Sequence, residues 1–298
     1  MFDICQYIEC AKKYDLGTYG IIVKENGITV ASHFWRKDLR HDIHSLSKSF
    51  ASCAVGIAQE EGILSISDKV YDIFPDKIDK TTSSRVKNLT IEHLLTMCSG
   101  HAVPYMLSDQ RDVISDEWIH YFLNKPYEYD PGEHFVYDTG CTFIVSAAIQ
   151  KVTGMTLRDY LLPRLFKPLD IKNPQWFSSP DGINLGGAGL HLNCDEISRF
   201  AELLLNEGCY NGEQLVPKEY IKYATSKIVE NGNGLTNSTC GYGLQFWRCL
   251  KAGVYRGDGA YGQLAIVFPN EKISVAITSH NEKNAEKIVE TVLDCVIA

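Results

Sequence analysis

Nowhere in the 298 residues is there an apolar run long enough to cross a membrane. Nor is there a block of Lys and Arg. The 29 basic residues stand against 37 acidic ones, a formal net charge of -8 at pH 7, which excludes the electrostatic footprint of a nucleic-acid-binding protein. Ten cysteines are scattered along the chain with no Cys-x-x-Cys pair, so neither a redox motif nor a zinc site of that spacing is expected. The first ten residues carry acids early and lack a basic stretch followed by an apolar core, unlike a secretory signal. Internal repeats and low-complexity tracts are also missing. With 45% hydrophobic and 22% charged residues, what remains is a globular chain, one large domain or two closely packed lobes, expected in a reducing cytoplasm with a small-molecule partner.

What is present is organised around His44-Ser45-Leu46-Ser47-Lys48 and the small and apolar residues that follow, Ala51, Ala54, Val55, Ile57 and Ala58. A polar approach, an apolar run and a Glu60-Glu61-Gly62 ending predict a buried helix that opens at Ser45. Lys48 then lies about one turn along the same face, where its amine reaches the serine hydroxyl. Serine becomes a nucleophile when a base takes its proton. A lysine with a free pKa of ~10.4 serves once desolvation or a nearby cation lowers it. The positive end of the helix favours an oxyanion at the same place. Ser-x-x-Lys is a cheap pattern, and a second copy, Ser84-Arg85-Val86-Lys87, sits in a polar segment that reads as a solvated loop.

Around this centre the chain predicts a helix over 3–14 and a hairpin formed by 18–23 and 28–30 about Asn26-Gly27. Further helices are expected at 90–97, 140–153, 156–166, 194–207 and 217–225. Strands are expected at 242–247, 252–256, 263–268 and 273–278, then a closing helix over 284–297. The fold class is therefore α+β: an antiparallel sheet built from both chain ends and flanked by helices, with a mainly helical lobe inserted between. The predicted division is a discontinuous lobe of 1–75 with 236–298, and a helical lobe of 76–235. Ser45 would lie where the lobes meet, a favoured place for a small-molecule cleft.

Two further segments invite attention. Asp130 to Gly140 sets a turn, then Tyr137, then a helix; a lone Tyr is more often packing than chemistry. Arg256-Gly257-Asp258-Gly259-Ala260-Tyr261-Gly262-Gln263 leads into an apolar strand, and by itself reads as a glycine-rich β-turn. His33 and His41-x-x-His44 raise a metal site, which the absence of a His-Glu-x-x-His pattern makes a poor reading. Cys98 and Cys141 read as small core residues.

Taken together, these motifs resemble the serine β-lactamase and penicillin-binding-protein superfamily, in its class C β-lactamase, esterase and 6-aminohexanoate-oligomer hydrolase branch, over nearly the whole chain. Ser45-Leu46-Ser47-Lys48 is similar to the first family motif. Tyr137-Asp138-Thr139 falls where its Tyr-x-Asn belongs, and Gly257-Asp258-Gly259 where its Lys-Thr-Gly or His-x-Gly belongs. Leu94 to Gly100, Gly186 to Leu190 and Leu203 to Gly208 are similar to supporting family phrases. The resemblance implies a β-lactamase/transpeptidase-like fold, with Ser45 acylated, Lys48 taking its proton and Tyr137 relaying it. It also implies an oxyanion hole from the backbone N–H groups of Ser45 and Ala260, and no metal or organic cofactor.

The departures bear on substrate. Thr139 stands for an Asn that would hold an acylamino group, Gly257 for a cation that would meet a carboxylate, and Asp258 adds a negative charge. Arg256, one strand position from Gly257, is expected on the opposite face. Thr139, Arg256, Gly257, Asp258 and Gly259 are thus the candidate substrate-binding residues. The implied function is hydrolysis of a small ester or amide through an acyl-enzyme. The alternatives are a β-lactamase or D-alanyl peptidase, and a catalytically weak binder of peptides or cell-wall fragments. The cleft walls are expected from 101–116 and 175–185.

Overall fold

The computed structural model describes residues 1–107, 114 and 117–297. Among these, six strands form one antiparallel sheet: β1 (Thr18–Glu25), β2 (Ile28–Phe34), β3 (Trp247–Arg248), β4 (Tyr255–Gly259), β5 (Gln263–Phe268) and β6 (Ile273–Ser279), in the order β2-β1-β6-β5-β4-β3. The hairpin at Asn26-Gly27 forms because both residues take positive φ, 51° and 78°, which closes a two-residue turn with the twist that strands need.

Alternation along these strands feeds two cores. Ile21 and Val23 of β1, Leu264, Ile266 and Phe268 of β5, and Ile273, Val275 and Ile277 of β6 face one apolar cluster. There they meet the N-terminal helix α1 (Ile4–Lys13), through Tyr7 and Ala11, and the C-terminal helix (Glu286–Asp294), through Ile288, Val289 and Val292. The intervening Ile22, Ala265, Val267 and Ala276 face the other cluster, with the central helices. Burial on both faces is why β5 and β6 read as unbroken apolar runs.

The central helix α2 (Ser47–Glu60) is buried all the way from Ser47 to Ala58, as a helix with small and apolar residues around its whole circumference must be. Phe50 stacks at 3.8 Å on Phe200 of helix Cys194–Leu205. On another side α2 meets helix Thr139–Thr153, whose N-terminus is capped by Asp138. The Asp138 carboxylate accepts from Gly140 N (2.8 Å), and from Tyr105 N (2.6 Å) and Met106 N (3.1 Å) of the facing loop.

Several expected elements are shorter or displaced. The helix expected at 90–97 is Ile91–Leu95, capped by Thr90, and 156–166 divides into Leu157–Leu161 and a wider turn, Leu162–Phe166, carrying Pro163. The strand expected over 242–247 is not formed: only Trp247–Arg248 pairs with the sheet. Gln245 has φ 68°, and Leu244 N bonds to Ala224 O at 2.8 Å, so this backbone is used up on the helix Lys218–Ala224. Gln245 instead ties the layers together. It accepts from Thr142 Oγ1 (2.7 Å) at its side-chain oxygen and from Ser49 Oγ (3.0 Å) at its carbonyl, and donates to Leu95 O (2.6 Å). Conversely, the strand expected at 252–256 begins only at Tyr255 and runs on to Gly259, so Arg256 to Gly259 are strand and the turn comes at Ala260 to Gly262. The second Ser-x-x-Lys copy lies in a short 3-10 helix, Ser84–Asn88, with Ser84 and Lys87 exposed and Val86 buried.

His101 is fully buried among Tyr105, Phe122 and Tyr127, with ring centroids 5.1, 4.8 and 4.7 Å away. Neither ring nitrogen has a hydrogen-bond partner among the described residues. Burial, with Lys125 nearby, holds its pKa down at about 4 against an ordinary 6.5. Below pH 6.5 the unfolded chain takes up a proton that the folded chain refuses until about pH 4. The stability is therefore complete above pH 6.5 and is lost as pH falls through that window. His101→Phe should lose about 2–3 kcal/mol less than wild type between pH 7 and pH 4 in urea titrations; equal losses would refute this.

Candidate active site

Ser45 sits in a 3-10 turn, His44–Leu46, that leads directly into α2. The turn is built by His44, whose φ of 49° is stabilised by its N–H donating 2.8 Å to Asp42 Oδ1. The same oxygen accepts from Gly189 N at 2.9 Å, which pins the Gly186 to Leu190 segment beside the turn. Ser47 Oγ accepts from Leu190 N at 3.4 Å.

Lys48 is 1% exposed. Its Nζ lies 2.9 Å from Ser45 Oγ, 3.2 Å from Thr139 Oγ1 and 2.8 Å from Gly187 O. It also lies 5.0 Å from the centre of the Tyr137 ring. Gly187 makes room for this amine, since a Cβ there would lie 2.7 Å from Thr139 Cγ2 and 3.1 Å from Lys48 Nζ. Tyr137 is half-buried, and its phenol is held well above its usual pKa, mainly by burial and further by Asp258; its hydrogen bond with Ser45 and the Arg256 charge oppose the shift. At neutral pH the phenol is therefore protonated, able to donate.

A cavity of about 320 Å³ opens beside these groups, lined by Ser45, Tyr137, Ser238, Trp247, Arg256, Asp258, Ala260, Ala285 and Glu286. Two larger hollows, about 370 and 430 Å³, are lined by other residues and hold neither Ser45 nor Lys48. The β4 strand forms one wall, and its pleat has the opposite phase to the one that the sequence suggests. Arg256 and Asp258 face the cavity, while Gly257 faces α2: a Cβ there would lie 2.4 Å from Leu46 Cδ1 and 2.8 Å from Ser49 Oγ. Gly259 packs as tightly, its Cβ position lying 2.2 Å from Ile43 O. Both glycines therefore let β4 approach the Ser45 turn, and neither lines the cavity.

Thr139 likewise is placed on Lys48, outside the cavity lining. Ser238, Trp247, Ala285 and Glu286 were not among the expected residues. No local pattern marks them; they come from a loop, a short edge strand and the start of the last helix. Of the expected walls, 108–113, 115 and 116 lie outside the described residues. The described remainder of 101–116, and the segment 175–185, do not line the cavity.

The Ala260 turn is held by a side chain. Gln263 Nε2 donates to Ala260 O (3.3 Å) and Ser279 O (2.6 Å), and its Oε1 meets His41 Nε2 at 2.9 Å. His44 packs edge-on to Tyr261 at 5.1 Å, and burial lowers its pKa. His33 packs edge-on to Trp35 at 4.3 Å, so the three histidines considered for a metal have separate neighbours. Among the described residues no group of three or more His, Cys, Asp or Glu is arranged to hold a metal ion.

Residues 11–293 match the family model described as Beta-lactamase. The chain belongs to the beta-lactamase family. The neighbourhood of this beta-lactamase-family chain is broad. It is 20% identical to an uncharacterized protein of Alkalihalophilus pseudofirmus, over 95% of this chain and 93% of the relative. It superposes with TM-score 0.76 and 15% identity on a penicillin-binding protein homolog from Caulobacter crescentus, covering 98% of this chain and 97% of that one. With TM-score 0.75 and 18% identity it matches a D-stereospecific amidohydrolase from Streptomyces sp., covering 97% and 98%. At these identities the two structures establish a shared β-lactamase/transpeptidase-like fold. Among the described residues no helix of this family member is long and apolar enough to cross a membrane.

Proposed function

We propose that this beta-lactamase-family protein is a serine hydrolase that forms an acyl-enzyme on Ser45 and acts on a small ester or amide, without a metal or organic cofactor. The observation that carries this reading is the 2.9 Å contact between Lys48 Nζ and Ser45 Oγ, at the edge of a cavity that Tyr137 and Ala260 also line. Amide and ester chemistry share this first step, and one structural neighbour bears the name amidohydrolase.

In the acylation step, Ser45 Oγ attacks the substrate carbonyl and gives its proton to Lys48 Nζ, 2.9 Å away, a transfer that uses the unprotonated form of the amine. The phenol of Tyr137, protonated because burial raises its pKa, donates its proton to the departing oxygen or nitrogen. Lys48 restores that proton to Tyr137. The carbonyl oxygen, now negative, is met by the backbone N–H groups of Ser45 and Ala260, a type of contact whose loss costs roughly 10²-fold or more. Water then attacks the acyl carbon and gives a proton to the same pair, which returns one to Ser45 Oγ as the acyl–oxygen bond breaks, so that the acid leaves and the serine is regenerated.

The β-lactamase or D-alanyl peptidase alternative is less well supported, because the Arg256 guanidinium that faces the cavity is already paired with Asp258 at 2.7 Å. The ten free cysteines fit a reducing cytoplasm.

Brief incubation with an activated ester such as p-nitrophenyl acetate, followed by intact mass and peptide mapping, should reveal an adduct on Ser45. A penicillin run in parallel should label more slowly. Folded protein that takes no adduct from either reagent would favour the reading as a binder of peptides or cell-wall fragments.

A further inference from the structure

The charged wall of the cavity is the most specific feature that the hydrolase reading leaves unused. Arg256 is 1% exposed, and its guanidinium is directed at protein atoms. Nε donates to Asp258 Oδ2 (2.7 Å), Nη1 to Asn237 O (2.8 Å), Arg248 O (3.2 Å) and Cys249 Sγ (3.4 Å), and Nη2 to Ser238 Oγ (3.3 Å). Ser238 in turn donates to Glu286 Oε2. The wall therefore carries two carboxylates against one guanidinium, and the guanidinium is committed. A carboxylate entering from the cavity would have to break the Asp258 pair and would face Glu286 as well. The acids themselves are reachable: the Asp258 side chain is 25% exposed and Glu286 is half-buried on the cavity lining. Trp247, on the same lining, adds an aromatic surface of the kind that attracts cations, and it already has the Arg256 guanidinium 5.8 Å from its ring centre.

We propose that this cavity receives a protonated amine, held between Asp258, Glu286 and Trp247, so that the substrates are small esters or amides bearing an ammonium group rather than a carboxylate. This rests on Ser45 being the acylated residue for its chemistry, but not for its binding geometry. A volume of about 320 Å³ lies at the small end of ligand sites and suits a short aminoalkyl or amino-acid-sized group. Attraction between an ammonium and a partly exposed carboxylate is a charged hydrogen bond, whose usual worth corresponds to about tenfold or more in affinity.

The test has two arms. In the first, wild type is acylated with three p-nitrophenyl esters of matched length ending in an ammonium, a methyl or a carboxylate group, and the rate of Ser45 adduct formation is followed by mass. The expected order is ammonium over methyl by about tenfold, with carboxylate slowest; Glu286→Gln should lower the ammonium-to-methyl ratio several-fold. Equal rates, or a faster carboxylate ester, would overturn the inference. In the second, Ser45→Ala protein is titrated with butylammonium chloride and with sodium butyrate at equal ionic strength by ligand-observed NMR. Butylammonium should bind at least about tenfold more tightly, and Glu286→Gln should narrow the gap. Tighter butyrate, or binding of neither, overturns it. Binding of butylammonium with no ester labelling Ser45 would defeat the hydrolase reading while leaving the amine site standing.

Discussion

Ser45→Ala is expected to lose ester or amide turnover by about 10⁴-fold or more, the scale on which removal of a nucleophile acts, with its melting temperature nearly unchanged. Ser45 is only half-buried and sits in a short turn, so loss of its hydroxyl removes little core. Lys48→Met should be nearly as inactive, because the proposed base is gone while a chain of similar length fills the space. It should also be less stable than Ser45→Ala by about 1–2 kcal/mol, since Gly187 O, 2.8 Å from the amine, loses that donor in a buried place. The two variants therefore separate chemistry from packing. Steady-state rates on an activated ester, with denaturant melts on the same preparations, measure both effects. An active Ser45→Ala enzyme would remove the nucleophile from the mechanism, and an active Lys48→Met enzyme would transfer the base to another group.

Arg256→Met should destabilise the protein by about 3 kcal/mol, the lower end of what breaking a buried ion pair costs. The guanidinium is enclosed, and its removal leaves Asp258 facing Glu286 and leaves Asn237 O and Arg248 O without this donor. Burial acts against the charge on Arg256, but Asp258 and Cys249 outweigh it and hold its pKa above the ordinary value. The partial exposure of Asp258 lets water recover some of the loss, which keeps the figure from the upper end of the range. Arg256→Met with Asp258→Leu should recover much of the stability, because replacing both charges by apolar groups avoids the orphaned carboxylate. Urea unfolding of the single and double variants tests this. A single-variant loss under about 1 kcal/mol would mean that the pair contributes little to holding β4 in place.

Much of the fold is legible in the residues. The Asn26-Gly27 turn, the apolar runs 264–268 and 273–277 and the small-residue helix after Ser45 each carry a local pattern that their tertiary setting agrees with. Elements failed to be legible where a distant partner took over the backbone. Residues 242–246 have a strand's composition, yet Gly243 N bonds to Phe246 O at 2.8 Å and Leu244 N to Ala224 O, while Gln245 adopts a left-handed conformation to reach Leu95 and Ser49. No neighbouring residue announces that choice.

The candidate site divides in the same way. Ser45 and Lys48 are three apart, and the entry into a helix brings them together from local geometry alone, so their pairing is written in the sequence. Which side of β4 meets the cavity is not, because period-two alternation fixes only that Arg256 and Gly257 oppose each other. The phase is decided by packing: Gly257 lies where a side chain would strike Leu46 and Ser49, so the strand can approach α2 only with that glycine inward. Arg256 and Asp258 are thereby turned into the cavity. Glu286 and Trp247 join them because the first turn of the last helix and an edge strand end at the same rim. Local periodicity accounts for the meeting of Ser45 with Lys48 and for the apolar strands and the small-residue helix that carry them. The charge lining the cavity was decided by the tertiary structure, since it depends on steric contacts between residues some two hundred positions apart.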